Sequence, residues 1–294
     1  MTEPADRVPP EQDQPFEPGQ PSEPGQPLEQ GQPLEQVRVD RLADGVVLVT
    51  LDLAERRNAM TAPMTRSWAR VMADLKADRS VRCVVVTGAG SAFCAGGDID
   101  WLASDPSAGV DALRDRMLPF YRSWLSILEL EVPTIAAVNG PAIGAGLCLA
   151  LAADLRYAAE DATLSVPFTA LGMHPGMAAT WLLPRIAGLG VASELLLTGR
   201  AVSGLEAEQL GLVNRALPAV GLMTAVLDIA GAVAVKAPIA TRLTKVALAA
   251  GGHATIDAAL QWEALAQPIT LATRDLREGL AARREKRAPR FTGH

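Results

Sequence analysis

The stretch NGPAIGAGLCLALAADLR, residues 139–156, decides how this chain is read. An apolar run at 135–138 leads into it, glycines follow at 140, 144 and 146, and an apolar helical segment comes after them. Strand, glycine turn, helix is the outline of an α/β unit. The start of such a helix presents backbone N–H groups and partial positive charge to whatever lies before it. No acid, base or hydroxyl follows until Asp154, and Cys148 stands on the first helical turn.

The same outline occurs upstream. VRCVVVTG (81–88) reads as a buried strand, and TGAGSAFCAGGDID (87–100) as the glycine loop that follows it. Neither loop completes the G-x-G-x-x-G dinucleotide fingerprint, because the third glycine is absent after Gly90 and after Gly146. No Gly-Lys-Ser/Thr occurs, which excludes a P-loop. Two readings stay open. Both loops are tight strand-to-helix turns, or each aims one backbone N–H at a shared oxygen and the pair forms an oxyanion hole.

Outward from these loops the pattern alternates. VRVDRL and GVVLVTLDL, joined at Asp44-Gly45, predict a hairpin. TAPMTRSWARVMADLKAD (61–78) opens with a capping threonine and Pro63, and Met64, Trp68, Val71, Met72 and Leu75 recur at helical period. A helix is predicted over about 108–130, short strands at LRYAAE and ATLSVP, and mostly helix after about 177. Residues 17–36, EPGQPSEPGQPLEQGQPLEQ, carry almost no apolar side chains, so a disordered tail is predicted over 1–36 and a domain over 37–294. The domain is expected to divide into a core, about 37–225, and a helical region, about 226–294.

With 49% hydrophobic and 20% charged residues, the chain has material for a sizeable core. A net charge of −6 argues against nucleic acid as a partner. No apolar run is expected to approach the roughly 18 residues of a membrane span. The segment 1–36 is too acidic for a transit peptide and lacks the apolar centre of a signal peptide. Cys83, Cys94 and Cys148 lack zinc or redox-pair spacing and read as reduced thiols of a cytoplasmic protein.

RRNAM (56–60), VRCVVVTGAGSAFCAGGDID, NGPAIGAGLCLALAADLR, LGMHPGMAATWLLPRIAG (171–188) and EKRAPRF (285–291) together resemble the crotonase superfamily, the enoyl-CoA hydratase/isomerase family. The resemblance runs from Val37 to Phe291. It implies an α/β fold: a spiral of ββα units with a C-terminal α-helical trimerisation region. It implies a homotrimer or a dimer of trimers. It implies an acyl-CoA thioester as ligand, with coenzyme A as part of the substrate and no separate cofactor or metal. By motif position the oxyanion-hole N–H donors are Gly97 and Ala145. Ala95, Gly97, Asp98, Ile99 and Asp100 would line the thioester and adenine side, and Arg56 and Arg57 would lie near the CoA phosphates. Phe168, Trp101 and Trp181 are candidates for the acyl pocket.

The resemblance breaks where the family keeps its acids. The two usual glutamate positions hold Cys148 and Phe168, and a third position used for an aspartate holds Gly176. Cys148 is either a small buried hydrophobe or a thiol replacing one acid. His174, in GMHPG, has the side chain whose ordinary pKa suits proton transfer near neutrality, or it serves the loop backbone. Asp98 reads as orienting its loop, and Asp154 as a structural hydrogen-bonding residue. Three functions follow from this. One is a divergent acyl-CoA enzyme (isomerase, hydrolase, decarboxylase or weak hydratase) in fatty-acid or acyl-CoA metabolism. The second is a non-catalytic acyl-CoA carrier or sensor. The third is an ordinary hydratase with an acid recruited from elsewhere.

Overall fold

The computed structural model describes residues 33–98, 107–249 and 255–294. Most of the 1–36 segment, together with Ile99, Asp100, Trp101 and His253, lies outside the described residues. Leu34–His294 form one compact unit. Three residues ahead of Val37 are already fastened to it. Leu34 packs on the core, the Glu35 N–H donates to Ser67 Oγ at 2.9 Å, and the Gln36 carbonyl accepts from the Asp52 N–H at 2.8 Å.

Strands are numbered here in chain order. The main sheet runs β1 (Val37–Arg41), β2 (Val46–Leu51), β3 (Cys83–Gly88), β4 (Thr134–Val138), β6 (Leu155–Ala159), β9 (Arg215–Leu217). Only β1–β2 is antiparallel, with Val39 opposite Val49, and Asp44 makes the hairpin turn at φ 57°. The remaining pairs are parallel, so every crossover must pass over the sheet. A second sheet of three short strands, β5 (Ala142–Ile143), β7 (Thr163–Ser165) and β8 (Ala201–Ser203), stands beside it. The chain steps from one sheet to the other through Asn139, Gly140 and Pro141, inside the stretch that opened the sequence reading.

Helix α1 (Ala62–Ala77) begins where the capping pattern predicts, with Thr61 Oγ1 accepting the Met64 N–H at 3.2 Å. Its buried face carries Met64, Trp68, Val71, Met72 and Leu75, the five positions read from periodicity. Trp68 stacks on Trp124 of α2 (Val110–Leu125), with ring centroids 5.1 Å apart. A 3-10 turn, Ser126–Glu129, completes the helix expected over 108–130.

Helix α3 (Ala145–Ala152) is buried at all eight positions. Its all-round apolar sequence follows from this, since no face meets water. Helix α4 (Ala179–Thr198) is broken at Gly188, with φ 80° and ψ 161°. Taken whole, it is one helix among the described residues long and apolar enough to cross a membrane, which amends the expectation of no such run. The break at Gly188 and the burial of Leu182, Leu183, Leu195 and Leu196 tie it to the core.

After α5 (Gly204–Gln209) comes α6 (Ala219–Ala234), which packs on β3, β4 and β6. The expected boundary near 225–226 therefore falls inside a helix that belongs to the core. Strands β8 and β9 were not legible in the sequence, because three residues are too few to show alternation. Helices α7 (Pro238–Ala249), α8 (Ile256–Leu271) and α9 (Arg274–Glu285) end the chain. Helix α8 buries none of its residues and exposes Ile256, Leu260, Leu265, Ile269 and Leu271.

Candidate active site

The two glycine loops lie against one another. Cys94 of the first forms a parallel bridge with Ala142 of β5, and its carbonyl accepts the Ile143 N–H at 3.0 Å. Gly97 bridges Met60 on the other side, where the Gly96 carbonyl accepts the Met60 N–H at 2.8 Å. The first loop is thus an extra rung between residue 60 and the second sheet. Glycine is required at the closest contacts. A Cβ on Gly146 would stand 2.2 Å from the Cys94 carbonyl oxygen. Gly96 adopts φ 92°, and a Cβ there would stand 2.5 Å from the Ile143 carbonyl oxygen.

Two buried amides hold this geometry, and the sequence reading did not find either. Asn58, fully buried, accepts the Leu53 N–H at 2.9 Å and donates to the carbonyls of Ala89 and Ala92 at 3.0 and 2.9 Å. Asn139 accepts the Gly88 N–H at 3.2 Å and donates to the carbonyls of Gly88 and Gly90 at 3.0 and 3.1 Å. A side-chain amide has both donors and acceptors, which is what a loop with unpaired carbonyls needs. Asn139 adjoins Gly140 in the sequence, whereas Asn58 has no glycine beside it.

Among the described residues, neither the Gly97 N–H nor the Ala145 N–H has a hydrogen-bond partner. Ala145 opens α3, whose first N–H groups have no partner within the helix. At the other end the buried Arg156 guanidinium donates from Nη1 to the Ala153 carbonyl and from Nε to the Leu212 carbonyl at 2.8 Å. The helix is therefore closed at its C-terminal end and open at its N-terminal end.

The sequence model described as enoyl-CoA hydratase/isomerase matches residues 41–294. The chain belongs to the enoyl-CoA hydratase/isomerase family. A human relative, enoyl-CoA hydratase domain-containing protein 2, mitochondrial, is 37% identical over 266 residues, which cover 88% of this chain and 90% of that protein. The crystal structure of enoyl-CoA hydratase from Bacillus anthracis superposes with a TM-score of 0.84 at 34% identity, covering 88% of this chain and 100% of that one. An enoyl-CoA hydratase from Polaromonas sp. JS666 gives 0.81 at 29% identity, covering 87% and 99%. The crotonase fold expected from the motifs is the fold observed.

Cys148 and Phe168, the positions at which the motifs led us to expect the family's glutamates, are both buried. Cys148 is fully buried, and burial pushes its thiol up to about 12. Loss of water is the larger effect on this thiol, so it stays protonated near neutral pH. Its Sγ lies 3.9 Å from the Gly176 carbonyl oxygen. Phe168 is buried, and its ring edge stands 3.8 Å from the position a Cβ would take on Gly144. His174 is exposed, with Nδ1 2.8 Å from the Pro175 carbonyl oxygen.

Arg56 and Asp98 are paired at 3.1 Å on the surface side of the first loop. Arg57 is exposed at φ 51°, and its carbonyl accepts the Ala95 N–H at 2.9 Å. Ala95 and Asp98 are both tied to the 56–57 turn. Trp181 does not join this group. It lies under the Arg185 guanidinium, 3.9 Å from the ring centre, and lines a cavity of about 980 Å³ at the C-terminal end of α3. Asp154 is structural: its Oδ2 accepts from the Thr134 N–H at 2.7 Å and pairs with Lys245 Nζ at 2.8 Å.

Proposed function

We propose that this protein binds an acyl-CoA thioester with its carbonyl oxygen between the N–H groups of Gly97 and Ala145. The observation that carries the reading is that these two N–H groups are unengaged on touching loops, one of them at a helix start. Donors fixed in place before charge develops stabilise an enolate or tetrahedral oxyanion, by roughly 10²–10³-fold in rate per donor. Arg57, and Arg56 beside its Asp98 partner, would face the CoA phosphates. Coenzyme A enters as part of the substrate.

The reaction is not two-glutamate hydration. Hydration needs one group to activate water and one to protonate the α-carbon, and each contributes roughly 10²–10⁴-fold. Cys148, Phe168 and Gly176 supply neither. The chemistry that fits is enolate or acyl chemistry resting on the hole itself, such as isomerisation, thioester hydrolysis, decarboxylation or weak hydration. His174, two residues before Gly176, is the histidine available for a proton-transfer role. A second reading, a non-catalytic carrier or sensor, is favoured by the burial of the Cys148 thiol. The exposed apolar side chains of α8 support assembly as a homotrimer or a dimer of trimers, and the three buried free thiols support a reducing cytoplasm.

Calorimetry with butyryl-CoA tests the binding step. The expected result is saturable binding that Gly97→Pro weakens at least tenfold, since proline removes the N–H that the Met60 bridge does not use. No binding at millimolar ester would overturn the reading. A mass-resolved panel of acyl-CoA esters then separates enzyme from carrier.

A further inference from the structure

The acyl-CoA reading leaves the far end of the site without a polar group from the family's positions, and the fold supplies one from α2. A Cβ on Gly176 would meet Tyr121 Oη at 2.6 Å and Cζ at 3.0 Å. The tyrosine hydroxyl therefore occupies the space that a side chain at 176 would fill. Cys148 approaches the same residue through its carbonyl, with Sγ 3.9 Å from the Gly176 oxygen. Cys148 is three residues past Ala145 on α3, on the same helix face. Ala145, Cys148, Gly176 and Tyr121 are therefore successive neighbours, beginning at the proposed oxyanion position.

Tyr121 is half-buried against the core, and its hydroxyl has no hydrogen-bond partner among the described residues. A phenol O–H in such a place lacks a partner until water or a ligand supplies an acceptor. Burial, and then the neighbouring Cys148, push its pKa up, so it stays protonated and acts as a donor. Cys148, Phe168, Gly176 and Tyr121 include no cation. A carboxylate placed among them would lose its hydration without a counter-charge. A neutral oxygen would not.

We propose that Tyr121 is a binding residue of the acyl pocket, donating a hydrogen bond to a neutral oxygen carried on the acyl chain. The substrate class is then an oxo- or hydroxy-substituted acyl-CoA in preference to a plain hydrocarbon one. This rests on the acyl-CoA reading above.

The test is calorimetry of wild type and Tyr121→Phe with butyryl-, 3-oxobutyryl-, 3-hydroxybutyryl- and malonyl-CoA. Wild type should bind the 3-oxo or 3-hydroxy ester about 3–10-fold more tightly than butyryl-CoA, the range of one net hydrogen bond. Tyr121→Phe should erase that preference and leave the butyryl-CoA Kd within about twofold. Because the hydroxyl has no protein partner, the variant should also melt no lower than wild type. Equal affinity for all esters, a preference that survives in Tyr121→Phe, tightest binding of malonyl-CoA, or a lowered Tm would each overturn the assignment of Tyr121. Failure of every ester, butyryl-CoA included, would instead bring down the acyl-CoA reading and this one with it.

Discussion

Gly96 lies beside Ala145 with no room for a side chain between them: a Cβ on Gly96 would stand 3.3 Å from the Ala145 nitrogen. This close approach, with the Cys94–Ala142 bridge beside it, sets how near the first glycine loop comes to the start of α3. Gly96→Ala must place a side chain at φ 92° and push the loops apart. Positive φ costs about 1–2 kcal/mol and forced overpacking about 1–3. We expect about 2–5 kcal/mol of lost stability in urea unfolding, with thioester binding impaired in the fraction that folds. Unchanged stability and unchanged binding would mean the loops do not depend on this contact.

The thiols give a pH dependence. Burial pushes Cys83, Cys94 and Cys148 up to about 12 from an ordinary 9.0. Between those values the unfolded chain loses thiol protons that the folded chain keeps. The unfolded state then binds fewer protons, so stability falls as pH rises above about 9. Each thiol contributes about 1.4 kcal/mol per pH unit at most. Melting temperature measured from pH 8 to 10.5 should drop, and Cys148→Ala should flatten the slope by about a third. A slope identical in the variant would place the Cys148 thiol in contact with water.

Truncation separates the two parts of the N-terminal segment. Removing residues 1–32, with their Pro, Gly, Gln and Glu composition, should leave the Tm unchanged. Removing residues 33–36 as well takes away the Leu34 packing and the three hydrogen bonds of Glu35 and Gln36, to Ser67, Asp52 and Thr61. For a domain of this size, each kcal/mol lost lowers Tm by about 2–4 °C. We expect a drop of several degrees on differential scanning, confined to the second truncation.

Hydration of crotonyl-CoA should run at least about 10³-fold slower than in a two-glutamate member of the family, from the loss of one to two acid–base contributions. Cys148→Glu alone should restore little, since Phe168 still fills the second position. The double variant with Phe168→Glu should gain activity, provided two buried carboxylates are tolerated. A wild-type rate in the ordinary family range would contradict the argument from missing acids.

Much of this was legible in the sequence, for identifiable reasons. The Asp44-Gly45 hairpin, the Thr61 cap and the five buried positions of α1 follow from local chemistry that acts within a few residues. The two glycine loops were legible because glycine is needed where backbones touch, and their order along the chain carries the family. What was not legible depends on partners distant in sequence. Asn58 and Asn139 look like ordinary loop amides until the carbonyls they bind, about 30 and 50 residues away, are brought beside them. Tyr121 gave no signal, since its importance lies in the missing side chain of Gly176. Trp181 was read as a pocket residue from its position beside a family motif, and α4 turns it toward the opposite end of α3.

The central claim is that a thioester carbonyl sits between the N–H groups of Gly97 and Ala145. The measurement that tests it most directly is infrared difference spectroscopy of butyryl-CoA carrying an isotope label at the thioester carbonyl. Two N–H donors polarise the C=O bond, so the labelled stretch should move to lower frequency on binding, and Gly97→Pro should lose part of that displacement. A bound ester whose carbonyl stretch stays at its solution frequency would contradict the account.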